Sequence, residues 1–444
     1  MHRPDPAAAG RTSWLDAAAR KPWYRWAVVA MLWFICFFNY ADRQAIFSVF
    51  PVLEAEFGFS KAELGLIGSA FAFVYAITAP VAGQISDRSS RKLVILGGLY
   101  VWSIVTGFTA LCSKAWQFIL VRGAEGLGET VYFPASMSLV SDYHSKRTRS
   151  RAMGLHQTSV YAGTIGGGAL AGWMGERWGW QSPFVLLGVA GVVLGLLLAV
   201  FIREPQRDEA EREESGESAA PVPEAPVPLG SFLVTLARMP TVLLLILGFL
   251  GANSVGMVFL TWMPTFMNEK FSLSLTQAGV MATIYLQVGS MVGSMLGGAM
   301  ADRFRKLARG GRMYVQAFGA LCGAPFVYLC GSTEDLGFLK GGLICLGLCK
   351  GVYDSNIWAS LYDVVPPSRR STSVGLMNMI GWMGGSVLTF LIGLAVDKGM
   401  TMSVAIASTA AIYLIVALVL GAAGLFVPRH VDGIPDDGAT APGH

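Results

Sequence analysis

Charge is what this chain has least of. Asp, Glu, Lys and Arg make up 14% of its 444 residues, against about 25% in an ordinary soluble domain. Hydrophobic residues make up 53%, and the mean hydropathy is +0.52. A soluble fold could not keep so many apolar faces dry. The net charge is only +4, so nucleic acid is not indicated as a partner. Cysteine chemistry is also missing. Cys36, Cys112, Cys322, Cys330, Cys345 and Cys349 all fall inside or at the ends of apolar stretches, and none forms Cys-x-x-Cys. Cys345 and Cys349 share a helix face, but no His or carboxylate completes a metal set, so the six read as apolar filler. The N-terminal segment to Trp26 lacks an apolar core before a small-residue cleavage site and is not a secretory signal. Nor is there a phosphate loop. No strand precedes the glycine-rich Gly163–Gly172, no Lys-Ser/Thr follows it, and it reads as close helix packing. With no nucleophile–base pair either, neither an enzyme nor a cofactor is expected.

What is present is a repeat. Gly-x-x-x-Asp-Arg occurs at Gly83–Arg88 and again at Gly298–Arg303, each time after an apolar stretch and before a basic cluster. A second pair of loops matches as well, Asp142–Gly154 with Asp363–Gly375. Internal repeats in an apolar chain point to a secondary transporter with its substrate site between two halves. Apolar stretches of about 20 residues, enough to cross about 30 Å of hydrocarbon, recur twelve times. They lie near 26–50, 62–85, 92–112, 116–140, 151–173, 179–202, 241–267, 275–300, 313–332, 338–363, 372–396 and 402–427. The expected fold is an all-α membrane protein of two pseudo-symmetric six-helix bundles, residues 26–203 and 239–428. A polar, Glu/Pro/Ala/Ser-rich linker at 204–238 would join them, and 1–25 and 429–444 would be tails.

Orientation follows from Lys and Arg. One set of loops holds Arg88, Arg91 and Lys92, then Lys146, Arg147, Arg149 and Arg151, then Arg303, Arg305, Lys306, Arg309 and Arg312, then Arg369 and Arg370. The opposite loops hold only Lys61, Lys114, Arg177, Lys270, Lys340 and Lys398. The first set, the linker and both termini are therefore expected in the cytoplasm, with Trp23 to Trp26 as an interfacial anchor.

Ionisable residues inside spans are costly and mark cavities or partners. The first span carries Tyr40, Asp42 and Arg43, and the fourth carries Arg122, Glu125 and Glu129 on one helix face. Burial favours the protonated form of a carboxylate, and Arg stays charged and can grip a carboxylate at two points. An Arg–carboxylate pair that opens on protonation would free Arg for an anion, coupling proton to substrate. The alternative is an ion-pair network that only holds the two spans together. The tenth span carries Lys350 and Asp354 at i, i+4, either a self-neutralising pair or an extra substrate contact. Ser355, Trp358 and Asn378 are further candidate contacts or interhelical glue. His156 reads as structural. The loops with Asp87, Arg88 and Arg91, and with Asp302 and Arg303, are assigned to gating.

On these motifs the chain resembles the major facilitator superfamily over its whole length. Gly83-x-x-x-Asp87-Arg88-x-x-Arg91-Lys92 matches that family's signature, with Ser90 in place of the usual Gly. Tyr40-x-Asp42-Arg43, Glu56–Ser60, Ser69-Ala70-Phe71 with Tyr75, Arg122 seven residues before Glu129, Phe133-Pro134-Ala135, Trp178-Gly179-Trp180 and Gly375–Asn378 resemble the anion:cation symporters. That resemblance implies Asp42 and Glu129 as proton sites and Arg43 as the carboxylate ligand, with Arg122 supporting Glu129. It also implies Tyr40, Tyr75, Ser355, Trp358 and Asn378 as substrate contacts. Asn39-Tyr40-x-Asp42-Arg43 and Gly126-x-Gly128-Glu129 are also similar to the spinster-like lipid transporters. Glu125, a third proton-coupling candidate, and the Lys350/Asp354 pair depart from these patterns. The expectation is a monomeric symporter of a small organic anion and protons in a bacterial inner membrane. Lysolipid export and a non-transporting sensor are the alternatives, and sodium is not distinguished from protons.

Overall fold

The computed structural model describes residues 21–205, 239–365 and 370–427. The linker from 206 to 238, the tails before 21 and after 427, Arg369, and the side chains of Asp87, Arg88 and Lys146 lie outside the described part. The described elements are all helical. Each of the twelve expected spans coincides with a helical passage, and three of the passages are broken. Ten stretches are long and apolar enough to cross a membrane by length and composition. The fourth passage falls short because it carries Arg122, Glu125 and Glu129, and the fifth because it is rich in glycine and polar residues such as His156, Gln157 and Thr158.

The first six passages run α1 (Pro22–Phe57), α2 (Lys61–Arg88), α3 (Arg91–Thr109), α4 (Ala115–Thr130) with α5 (Tyr132–Tyr143), α6 (Lys146–Trp178) and α7 (Ser182–Phe201). The α4–α5 break has a local cause. Pro134 cannot donate to the Thr130 carbonyl four residues back, so the ladder opens at Val131. The next six run α8 (Pro240–Phe271), α9 (Leu275–Leu307), α10 (Gly311–Ser332), α11 (Leu336–Asp354) with α12 (Ile357–Tyr362), α13 (Arg370–Asp397), and α14 (Met402–Ser408) with α15 (Ala410–Leu425). At the α11–α12 break, Asn356 Nδ2 bonds the Gly297 and Val352 carbonyls, both at 3.1 Å. A side chain there competes with the backbone ladder. Exposed apolar side chains such as Met295 and Leu418, each 75% exposed, are what helices facing hydrocarbon require.

Contacts divide the chain into two compact units that do not simply follow chain order. Among the described residues, 257–284 and 386–402 group with 21–205, while 239–256, 285–365, 370–385 and 403–427 form the other. In the first unit, close packing depends on glycine. A Cβ at Gly167 of α6 would collide with the backbone of Ala41 in α1. At the end away from the basic loops, Ser69 and Ser386 each donate to the other's carbonyl, at 2.6 and 2.9 Å. Asp397 caps α2 by accepting from the Lys61 and Ala62 amides at 2.9 and 2.8 Å. Lys61 Nζ pairs with Glu54 and Glu269, and Glu176 accepts from Thr276 N and Oγ1 at 2.9 and 2.6 Å. At the basic end, Arg91 pairs with Asp142, and Glu204 accepts from the Arg91 and Lys92 amides, both at 2.8 Å. In the second unit the counterpart pair is Arg312 with Asp363, 3.5 Å apart.

Candidate functional site

The first unit buries five charged side chains in one cluster. Asp42 and Arg43 come from α1, and Arg122, Glu125 and Glu129 from α4. Their residue exposures are 1, 8, 1, 1 and 0%. Local packing aims them inward. Gly126 lets α2 approach, since a Cβ there would lie 2.8 Å from the Phe71 carbonyl. Gly128 does the same for α3, at 3.0 Å from Trp102 N. With α2 and α3 drawn against the glycines, the three charged positions of α4 are left facing α1.

Within the cluster the pairing is definite. Arg43 Nε donates to Glu129, and Arg122 Nη1 donates to Glu125. Thr106 of α3 donates to the other oxygen of Glu125 at 2.8 Å. One oxygen from each of Asp42, Glu125 and Glu129 lies within 4.8 Å of the others. Both oxygens of Asp42, one of Glu129, and Nε and Nη2 of Arg122 are buried with no hydrogen-bond partner among the described residues. Aromatic rings line the guanidiniums. Arg43 lies 4.6, 4.8 and 5.0 Å from the ring centres of Tyr40, Phe71 and Tyr75, and Arg122 lies 5.0 Å from Phe71. The negative face of each ring attracts the cation placed over it.

The structure therefore brings together Tyr40, Asp42, Arg43, Tyr75, Arg122, Glu125 and Glu129. The C-terminal candidates lie in the other unit. Lys350 pairs with Asp354, with side chains 23% and 37% exposed. Ser355 Oγ donates to Val352 O at 3.2 Å and accepts from Asn356 at 3.0 Å. Trp358 packs on Phe249, ring centres 5.5 Å apart, and Asn378 is half-buried. Of the gating candidates, Arg91 is committed to Asp142. Asp302 is approached by Arg312 at 3.9 Å, and Arg303 is exposed. His156 is buried, with Nε2 3.0 Å from the Tyr132 hydroxyl. Sequence reasoning missed Thr106, an ordinary-looking residue whose partner lies nineteen positions away. Phe71 was visible only as a motif member, not as the ring between two guanidiniums.

Residues 32–389 match the Major Facilitator Superfamily profile. The chain is 26% identical to a probable L-galactonate transporter of Escherichia coli (strain K12) over 379 residues, 83% of this chain and 82% of that protein. It is 30% identical to protein spinster homolog 1 of Homo sapiens over 398 residues, 84% of this chain and 73% of that one. A crystal structure of a bacterial homolog to the human lysosomal transporter spinster, inward-facing and occupied, is similar with a TM-score of 0.72 at 21% identity, covering 92% of this chain and 97% of that chain.

Proposed function

The chain belongs to the Major Facilitator Superfamily, whose members are membrane transporters and not enzymes, and from that premise we propose that it is a proton-coupled symporter of a small organic anion. The substrate class is a sugar acid or related carboxylate, and the cycle is alternating access. The observation that carries this reading is the charge balance of the buried cluster. It holds three carboxylates, Asp42, Glu125 and Glu129, against two guanidiniums, Arg43 and Arg122, all nearly inaccessible. Each Glu has its own Arg, and Asp42 forms no ion pair among the described residues. An unpaired buried charge is costly, and one proton on the cluster balances it. A further proton at Glu129 releases Arg43, whose guanidinium then takes the carboxylate of the substrate. Loss of the protons restores the pair and expels the anion.

The sugar-acid class is supported by the name of the galactonate relative. In this reading the basic loops face the cytoplasm, with Asp87, Arg88, Arg91, Asp302 and Arg303 controlling that end. Ser355, Trp358, Asn378, Lys350 and Asp354 supply further substrate contacts. The test is uptake into proteoliposomes under an inward proton gradient, across sugar acids and small carboxylates. Accumulation that a protonophore, Arg43→Ala and Glu129→Gln each abolish is the expected result. Undiminished proton-driven accumulation by Glu129→Gln would overturn the mechanism.

A second reading, lysolipid or amphipathic-anion export, is favoured by the 30% identity to human spinster homolog 1. It predicts no sugar-acid uptake by folded protein, and movement of a lysolipid between the leaflets of the same liposomes.

A further inference from the structure

Arg122 is held by only one edge. It is 1% exposed, and Glu125, one turn along α4, takes Nη1. Nε and Nη2 remain without a hydrogen-bond partner among the described residues. Those two nitrogens form the side-on edge of the guanidinium, two parallel donors matched to the two oxygens of a carboxylate. Glu125 itself cannot swing, because Thr106 of α3 fixes its other oxygen at 2.8 Å. Beside Glu125 lie Arg122 and Glu129 on its own helix, Asp42 on α1 and Thr106 on α3, while Phe71 of α2 stacks on Arg122 and Arg43 of α1 pairs with Glu129.

We propose that Glu125 is a positioning residue, fixed by Thr106, that pins Arg122 by Nη1 and keeps its side-on Nε/Nη2 fork presented to the carboxylate of the transported anion. The proposal rests on the symport reading and sharpens it. Arg43 must be released from Glu129 before it can bind an anion, but the fork of Arg122 already stands without a hydrogen-bond partner among the described residues. Two guanidiniums then act in turn, Arg122 at capture and Arg43 after protonation. Glu125 breaks the family pattern at this position, and this division of labour gives it a use. A charged, fixed anchor orients a guanidinium better than a neutral amide, because the hydrogen bond to it is charge-assisted and roughly twice as strong.

The test is uptake kinetics in proteoliposomes with D-galactonate and D-glucuronate as probes, comparing wild type, Glu125→Gln, Glu125→Asp, Thr106→Val and Thr106→Ser. Glu125→Gln should raise KM about tenfold, the equivalent of about 1.4 kcal/mol of binding, while Vmax changes much less. Thr106→Val, which removes one hydroxyl and no charge, should raise KM in the same direction by a smaller factor, with Thr106→Ser restoring it. An unchanged or lowered KM in both Glu125→Gln and Thr106→Val overturns the proposal, a lowered one making Glu125 a competitor for Arg122. Should Glu125→Gln not fold, the Thr106 pair decides alone. Absence of uptake of either probe by folded wild type removes the symport reading for these anions and the proposal with it. Wild-type uptake with unmoved variants removes the proposal only.

Discussion

The fourth helical passage of each half can be set side by side, α4–α5 against α11–α12. Both break at corresponding places, after Thr130 and after Asp354. Both put an acid and a base one turn apart shortly before the break, Arg122 with Glu125 and Lys350 with Asp354. The burial is unlike. The first pair's side chains are 2% and 1% exposed, and the second pair's 23% and 37%. One local arrangement therefore carries two different energetics. A pair open to water contributes a few tenths of a kcal/mol and can lose a member cheaply, at about 0–1 kcal/mol. A buried pair cannot, because the survivor is left as an uncompensated charge. The halves keep a common clamp at the basic end, Arg91–Asp142 and Arg312–Asp363. What differs is the burial of the acid–base pair ahead of each break.

The contrast can be broken in three ways. The largest effect is expected from Arg43→Ala, which strands Glu129 at 0% exposure. It should cost about 3–5 kcal/mol, read as a lowered midpoint of thermal unfolding in detergent. Adding Glu129→Gln should recover part of that loss, because the stranded charge goes with it. A single-variant loss below about 1 kcal/mol would put the cluster on a par with an exposed pair and erase the contrast. Lys350→Met should be far milder, about 0–1 kcal/mol, by the same measurement. A loss as large as that of Arg43→Ala would show that the two passages are energetically alike.

The smallest effect concerns Glu176, beyond the end of its span. Burial alone would raise its carboxyl, but the bonds from Thr276 outweigh it and hold the group below the usual carboxylate range. A carboxyl depressed in the folded state adds stability above its unfolded value of about 4.3. That stability is lost as pH falls through the lower, folded value. Wild type should therefore unfold slightly later than Glu176→Gln at pH 7, and the gap should close in acid. A gap that widens in acid would reverse the sign.

Much of the fold was legible in the residues. Hydrophobic stretches of membrane-spanning length located every passage, because hydrocarbon leaves the backbone no alternative to a helix, though the helices of the first and eighth run on to Phe57 and Leu307, past the expected ends at 50 and 300. The α4–α5 break could be expected from Pro134. The α11–α12 break could not, since it depends on Asn356 reaching Gly297 of another helix. In the site, helical spacing placed Arg122, Glu125 and Glu129 on one face. Spacing carries no information on which Arg takes which Glu. Arg43 pairs across 86 residues of sequence, and such a choice is made by packing.

By itself, then, the sequence determined that the chain is a duplicated helical membrane protein, and which ionisable residues it commits to the interior. These follow from local rules, namely length against bilayer thickness, the 3.6-residue period, and the cost of charge in an apolar stretch. Only the tertiary structure decided that Asp42 forms no ion pair among the described residues, that Thr106 bonds Glu125, that Phe71 contacts two guanidiniums, and that Asp397 and Glu204 cap helices far from them in the chain. Those are contacts between distant segments. They are selected by how closely glycines such as Gly126 and Gly167 let helices approach, and no local pattern encodes that distance.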